Sequence, residues 1–301
     1  MGDKVEQYIL KEENGNVITV RDVQKILLSM LIDIDKICRK HDIPYFLTAG
    51  SCLGAVRHQG FIPWDDDLDI GMLYDDYLKF MKVLETDLPE EYVFQCFDTH
   101  KEYNVTIPSM KIRKKGTFVE ERNVLLNNKC RDGNGLFIDV FVYDFVSENK
   151  VIDFCNRVPE HLLMPVICLF ENLQVNPIKL KSCYVDHARH YGKKHRGSSM
   201  IGMDLTWTYR SIFKPFVYRY DTIYPVQNGN FEGHQFPIPH DPHTFLCTAI
   251  GPDYMTPPPK DKRISKHILD IALDPVTASL KEVAYLQKYH IKEKAEHLEE
   301  I

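Results

Sequence analysis

Hydrophobic residues recur at helical spacing in two stretches of the chain. In residues 20–40 the apolar side chains fall three or four positions apart, and cations collect near the end of the stretch. Such a period places the apolar side chains on one face of a helix, and a helix dipole favours cations at its C-terminus. The pattern therefore predicts an amphipathic helix over residues 20–40, and the same spacing predicts another over residues 75–88.

Short β-type runs lie between and after these helices. They are rich in aromatic, aliphatic and β-branched residues, which are common in strands, and they cover residues 45–48, 92–96, 109–113 and 136–141. Helices and strands thus mix along the first half of the chain. We predict an α+β core over residues 20–147.

Two further segments follow the predicted core. The pattern of residues 148–226 predicts helices interrupted by proline. Between positions 178 and 219 there are nine basic residues and only two acidic ones. Residues 227–301 are rich in Pro and His up to about position 262 and end in an amphipathic helix from Val276. We expect a basic, mainly helical segment, followed by a C-terminal segment that packs on the core.

Composition places the chain among ordinary globular proteins, with 44% hydrophobic and 27% charged residues. The formal net charge of −6 disfavours a nucleic-acid partner, because binding to phosphates relies on cations. Eight cysteines without a Cys-x-x-Cys pair favour a reducing compartment. The N-terminus is polar, and the longest apolar run, residues 162–170, is far shorter than the roughly 20 residues of a membrane span. The sequence therefore predicts a protein that is cytoplasmic, or at most peripheral to a membrane.

Residues 64–69, Trp-Asp-Asp-Asp-Leu-Asp, place four carboxylates in five positions. Two carboxylates about 5 Å apart repel by about 3 kcal/mol at an effective dielectric constant near 20. In a strand, Asp65, Asp67 and Asp69 would share one face, and such a row of oxygen ligands suits Mg²⁺ or Mn²⁺ that also holds substrate phosphates. We predict a metal site here. The alternative is a solvated acidic turn, which the apolar neighbours of the acids disfavour.

Two features elsewhere in the core support the metal prediction. Gly50 and Ser51 lie between a β-type run and an apparent helix start, where backbone N–H groups and a hydroxyl can face an anion. Asp139 is a single acid in an apolar β-type run. A buried carboxylate needs a partner, and a shared metal would supply one, although a hydrogen-bonded structural acid is the alternative.

The amino-acid sequence of these motifs resembles that of the LicD family. This family includes the fukutin-related proteins and is similar to nucleotidyltransferases of the DNA polymerase β type. The resemblance rests on residues 45–58, which lead into residues 61–70, and on Leu136-Phe-Ile-Asp-Val-Phe141. It resumes over residues 231–239 and at His267, which matches a family histidine. It implies a nucleotidyltransferase-like mixed sheet flanked by helices, with a helical insertion and a C-terminal extension.

The family resemblance implies a metal-dependent phosphotransferase. Such an enzyme moves an alcohol phosphate from a CDP-activated donor onto a hydroxyl of a glycan or lipid-linked glycan and releases CMP. CDP-choline with a cell-surface glycan is the bacterial pattern, and CDP-ribitol is used by fukutin relatives. By position, the family's metal-binding acids correspond to Asp65, Asp67, Asp69 and Asp139, the last three being the candidate catalytic residues.

Three basic residues are candidates for contacts with the donor phosphates: Arg57, Lys111 and Arg113. The alternatives are a surface cation for Arg57 and a solvated sheet face for Lys111 and Arg113. The basic segment could contact the acceptor or the inner membrane face, or be a solvated subdomain. The rival functions are a nucleotidyltransferase acting on a small molecule and a non-catalytic glycan- or nucleotide-binding protein.

Overall fold

A seven-stranded mixed sheet lies at the centre of the computed structural model, which describes residues 8–13, 16–106, 109–122, 128–203 and 212–289. The fold is α+β, as predicted. The strands are β1 (Ile9–Glu13), β2 (Asn16–Thr19), β3 (Phe46–Leu47), β4 (Asp69–Leu73), β5 (Tyr92–Cys96), β6 (Met110–Lys114), β7 (Phe118–Glu121), β8 (Phe137–Phe145), β9 (Met200–Met203), β10 (Val217–Arg219), β11 (Gln227–Phe231), β12 (His234–Ile238) and β13 (Ile268–Ala272).

Helices cover the sheet and form most of the segment after β8. The helices are α1 (Val20–Lys40), α2 (Ala49–His58), α3 (Tyr74–Asp87), α4 (Lys150–Asn172), α5 (Ile178–Lys194), α6 (Tyr220–Ile223), α7 (Pro242–Ala249) and α8 (Pro275–Lys288). The helix predicted over residues 20–40 is confirmed at both ends. Thr19 and Asp22 form a capping box at its start, which satisfies backbone N–H groups of the first turn.

Strand β8 is the centre of the sheet because three other strands pair with it. It runs parallel to β4 along one edge, and its other edge pairs antiparallel first with β6 and then with β9. Strand β5 extends the sheet beyond β6, β3 extends it beyond β4, and β10 extends it beyond β9. Residues from β4, β6 and β8 are thereby brought side by side.

The two faces of the central strands differ in polarity. Ile138 and Val140 of β8 pack in the core cluster that includes the apolar face of α1 and Phe80 of α3. Successive side chains of a strand point to opposite faces, so Asp139 lies on the other face, where Phe141 packs against a second core cluster. The alternation therefore places Asp139 on the face of the sheet away from α1.

Most of the carboxylate run lies outside the sheet. A turn at residues 63–64 and an irregular connection over residues 65–68 precede β4, which begins at Asp69. This connection buries Leu68 completely, whereas Asp65 and Asp67 stay partly exposed. The acids before β4 therefore lie outside the strand, and their side chains need not alternate between the two faces of the sheet.

Residues after 147 contribute strands as well as helices. Helices α4 and α5 pack on each other, while β9 and β10 continue the central sheet beyond the predicted end of the core. In the C-terminal segment, β11 and β12 form a hairpin, and β13 pairs antiparallel with β7. Residues 204–211 of the predicted basic segment and 290–301 of the C-terminal segment lie outside the described residues.

All eight cysteines are free, and Cys38, Cys52, Cys96 and Cys130 are buried. These four behave as small apolar residues, as the sequence predicts. Within the described ranges, every helix is too short or too polar to cross a bilayer.

Candidate metal and phosphate site

Three charged residues form a row across the sheet. Asp69 of β4 lies opposite Asp139 of β8, and Lys111 of β6 lies opposite Asp139 on the other side. The Lys111 ammonium is 2.9 Å from Oδ1 of Asp139 and 3.2 Å from Oε1 of Glu121. Since Lys111 is 1% exposed, this row is a buried charge network rather than a solvated sheet face.

A second group of ligand atoms lies beside this row. One carboxylate oxygen from each of Asp65 and Asp67 and a ring nitrogen of His267 lie within 4.8 Å of one another. Nε2 of His267 is 3.1 Å from Oδ2 of Asp67. Among the described residues this is the single cluster of three or more His, Cys, Asp or Glu side chains with the spacing of a metal site.

Asp66 has a different role from the acids on either side of it. Its carboxylate accepts hydrogen bonds from the Ser265 hydroxyl and from three consecutive backbone N–H groups, those of Lys266, His267 and Ile268 at 3.4, 3.4 and 2.9 Å. These bonds join the carboxylate run to the residues that lead into β13. Asp66 therefore fixes the backbone that carries His267 next to Asp67.

The acids of the site destabilise one another's charged forms. Burial raises the pKa of Asp69 well above its usual range, and the charges of Asp67 and Asp139 raise that pKa further. Burial and the neighbouring Asp67 do the same to the pKa of Asp65, and burial also raises the pKa of Asp67 itself. Burial raises the pKa of Asp139 to about 6, although Lys111 opposes this shift.

A divalent cation would relieve this repulsion, and the donor set suits one. Two carboxylates and an imidazole are available at one point, with Asp69 and Asp139 on the adjacent strands. Carboxylates suit Mg²⁺ and Mn²⁺, and imidazole is a ligand for several transition metals. The negative charge of Asp67 raises the pKa of His267, which favours the protonated imidazole beside the acids.

The predicted Gly50–Ser51 element is the first turn of α2 and lies against the same acids. A Cβ atom at residue 50 would lie 2.7 Å from Oδ2 of Asp65, so glycine leaves the space that this carboxylate occupies. The Ser51 hydroxyl accepts a hydrogen bond of 2.8 Å from the backbone N–H of Asp69. The turn therefore positions two of the acids. A direct contact of Gly50 or Ser51 with phosphate stays a prediction.

Arg113 and Arg57 lie in different surroundings. Arg113 is buried, and it donates to the Gln95 side chain and to the Gly135 carbonyl at 2.7 and 3.0 Å. Within the described part of the chain, Arg113 forms no hydrogen bond or ion pair with any of the four predicted metal acids. Arg57 donates to the Tyr254 carbonyl at 2.6 Å; burial lowers its pKa, and the nearby Asp65 opposes that shift.

Cations from the C-terminal segment lie beside the metal cluster, which the sequence reading did not identify. The guanidinium of Arg263 lies 5.1 Å from the ring centroid of Trp64, and the exposed Lys266 directly precedes His267. Together with Arg122 they line an open cavity of about 550 Å³. Burial raises the pKa of Asp65, and the positive charge of Lys266 opposes that shift.

Only a weak signal in the sequence points to these C-terminal residues. His267 matches a family histidine whose role the sequence does not indicate, and Arg263 and Lys266 belong to no motif. Their position depends on hydrogen bonds between Asp66 and residues about 200 positions later in the chain. Local spacing carries no information on such a pairing.

Comparison with known proteins agrees with the predicted family. Residues 42–175 match the family model described as LicD/FKTN/FKRP, nucleotidyltransferase domain. The chain is 28% identical over 282 residues to the lipopolysaccharide cholinephosphotransferase LicD of Haemophilus influenzae, covering 83% of this chain and 97% of that relative. A 58-residue stretch is 45% identical to an uncharacterized protein of Rickettsia typhi and covers 19% of each chain.

We expect Asp66→Asn to destabilise the protein and to displace His267. An amide accepts fewer hydrogen bonds than a carboxylate and turns an NH₂ group towards backbone donors, so the free energy of unfolding should fall by about 1–3 kcal/mol. Denaturant unfolding measures this loss, and thermal shifts with Mn²⁺ measure the weaker metal binding. Asp261→Asn, an exposed acid of the same segment, is the control. Unchanged stability and metal binding would contradict the positioning role of Asp66.

We expect the opposite effect from Asp69→Asn in the metal-free protein. The change removes a buried charge that Asp67 and Asp139 repel, so the melting temperature should rise by about 2–4 °C for each kcal/mol of relief. Because the folded protein holds this proton more tightly than the unfolded chain, ionisation costs stability as pH rises above about 4. The advantage of the variant should therefore grow from pH 4 towards neutrality and shrink when Mg²⁺ or Mn²⁺ is added. A lower melting temperature throughout this range would contradict the repulsion.

Proposed function

Because this chain belongs to the LicD family and is a phosphotransferase of the LicD type, we propose that it transfers phosphocholine from CDP-choline to a glycan hydroxyl. The acceptor is a cell-surface glycan or its lipid-linked precursor, and CMP is the second product. The activity of the Haemophilus relative supports the phosphocholine group and the acceptor class, and the family pattern supports CDP as the carrier. We further propose that the reaction takes place in the cytoplasm.

The observation that carries this proposal is the metal cluster, in which His267 lies between two residues that line a basic cavity, Lys266 and Ile268. Asp65, Asp67 and His267 present ligand atoms at one point, and Arg263 and Lys266 line the adjoining space. Phosphoryl transfer depends mainly on positioning and on stabilising negative charge. Acids that hold a divalent cation beside unpaired cations provide both functions for a diphosphate.

The chain's own residues have separate roles in the proposed reaction. Asp65, Asp67 and His267 would hold the metal, with Asp69 and Asp139 on the adjacent strands completing its surroundings. A bound Mg²⁺ or Mn²⁺ supplies charge stabilisation to the phosphate oxygens of the donor. The first turn of α2 positions Asp65 through the space at Gly50.

The donor phosphates would be held from the C-terminal segment. Lys266 extends from the backbone turn that Asp66 fixes, and Arg263 is oriented by its hydrogen bond of 2.8 Å to the Pro258 carbonyl. Charge-assisted hydrogen bonds from such groups are stronger than neutral ones. Arg57, near Asp65 and Arg263, is the third candidate cation on this side.

Asp139 is the candidate general base for the acceptor hydroxyl. A general base works best when its pKa lies near the operating pH, and burial raises the pKa of Asp139 to about 6. Lys111, 2.9 Å away, fixes the orientation of this carboxylate. In the proposed step the hydroxyl proton passes to Asp139, the acceptor oxygen attacks the phosphorus that carries choline, and CMP leaves.

We expect CMP to appear when the protein is incubated with CDP-choline, Mg²⁺ or Mn²⁺ and a glycan acceptor. Asp67→Asn should lower this rate by about 10²-fold or more, because metal binding and charge stabilisation are lost together. Glu85→Gln, an exposed acid on α3, is the matched control and should retain full activity.

Two outcomes would replace the proposed reaction. Release of pyrophosphate from CTP, without CMP from any CDP-alcohol, would identify a nucleotidyltransferase acting on a small molecule. Binding of nucleotide without turnover under every condition would identify a non-catalytic binding protein.

We expect Lys266→Ala to weaken donor binding more than it slows the chemical step. Loss of one charge-assisted hydrogen bond to phosphate should raise KM for the donor by about tenfold or more, while kcat changes less. Steady-state kinetics with CDP-choline measure both constants. Lys262→Ala removes an exposed cation four residues earlier and is the control. An unchanged KM in Lys266→Ala would remove this residue from the phosphate site.

A further inference from the structure

Helix α4 has its polar and apolar faces inverted relative to an ordinary surface helix. Four charged side chains of this helix are buried: Asp153, Arg157, Glu160 and Glu171. They are satisfied inside the protein by ion pairs, as in the contact between Arg157 and Asp153 at 3.0 Å and that between Lys181 and Glu171 at 2.7 Å. The polar side of α4 is therefore the side that faces α5 and the core.

The outer side of α4 is a continuous apolar stripe. Its exposed members are Val151, Ile152, Cys155, Leu162, Val166, Leu169, Phe170 and the C-cap residue Leu173. At 100° per residue these side chains fall within about 100° of the helix circumference, and the stripe is about 33 Å long. Leu162, Leu169 and Leu173 are 69%, 58% and 63% exposed, so nothing in the described chain covers the stripe.

The outer side of α4 also lacks negative charge. Every residue of α4 is described, and Lys150 is its single charged residue with high exposure. A helix that faces water normally turns its apolar side inwards, and contiguous exposed apolar surface marks a site of interaction. The inversion therefore indicates that the outer face of α4 contacts a second apolar phase or surface.

Unpaired cations lie at both ends of the stripe. Helix α5 runs antiparallel to α4, because Lys181 pairs with Glu171 while Tyr191 bonds Asp153. Lys193 and Lys194 at the end of α5 therefore lie near the start of α4, and Lys179 lies near its end. All three are exposed and form no ion pair with any residue in the described ranges.

We propose that the outer face of α4 docks in the interface of an anionic phospholipid bilayer, with the helix lying in the membrane plane. An in-plane helix buries an apolar stripe while cations beside it attract anionic headgroups. These lysines stand out in a chain whose net charge is −6. A symmetric contact with a second copy would instead bring the same cations together, which charge repulsion disfavours. This docking does not depend on the proposed transferase reaction.

Vesicle sedimentation tests the proposal with the full-length protein. We expect it to sediment with vesicles made of equal parts phosphatidylcholine and phosphatidylglycerol, and much less with pure phosphatidylcholine. The double variant Leu162→Glu and Leu169→Glu should lower binding by about tenfold or more, since two side chains lose their apolar insertion. Replacing Lys179, Lys193 and Lys194 with Glu should also lower binding, most strongly at low salt.

A matched control distinguishes docking by α4 from general stickiness. Val276→Glu with Leu280→Glu changes two residues of α8 that are 74% and 69% exposed, and this variant should bind vesicles like the wild type. Thermal unfolding confirms that both variants fold. Wild-type protein that stays in the supernatant with both vesicle types would overturn the proposal. So would a dimer in analytical ultracentrifugation that Leu162→Glu with Leu169→Glu dissociates, because the stripe would then be an interface between copies of the chain.

Discussion

Repulsion among the clustered acids beside β4 and β8 is the constraint on which the site depends. The charge of Asp67 raises the pKa values of Asp65, Asp69 and Asp139 in addition to the effect of burial. In the metal-free protein this charge is offset from two sides, by Lys111 on β6 and by His267 before β13. Such a cluster costs folding energy unless a cation is present, and in the proposed reaction a divalent metal with a bound diphosphate would supply the charge balance.

The counter-charges connect the C-terminal segment to the candidate metal site. Asp66 bonds the backbone of residues 266–268, and β13 pairs with β7, which carries Glu121 next to Lys111. One chain of contacts therefore connects Asp139, Lys111 and Glu121 to the strand that His267 precedes. The same turn carries Lys266 towards the basic cavity. Candidate metal ligands and candidate phosphate ligands are thus positioned by one structural connection.

The arrangement of helix α4 also depends on the pairing of buried charges. Buried charges are tolerated where partners neutralise them. On α4 these partners lie inside the protein, so the aliphatic side chains of the helix face outwards. The exposed lysines beside that stripe suit an anionic surface. The candidate metal site and the proposed docking face thus lie in different parts of the fold, so a variant of one need not change the other.

The sequence by itself determined the local elements and the presence of the acid cluster. The spacing over residues 20–40 predicted α1 correctly, because helical periodicity and capping are local properties. The tertiary structure alone decided which acid does what: Asp66 and Asp67 are neighbours in sequence, yet one binds backbone N–H groups and the other faces His267. It also decided which side of α4 is buried and that β4 begins only at Asp69. These outcomes depend on partners distant in sequence, which neither periodicity nor motif spacing encodes.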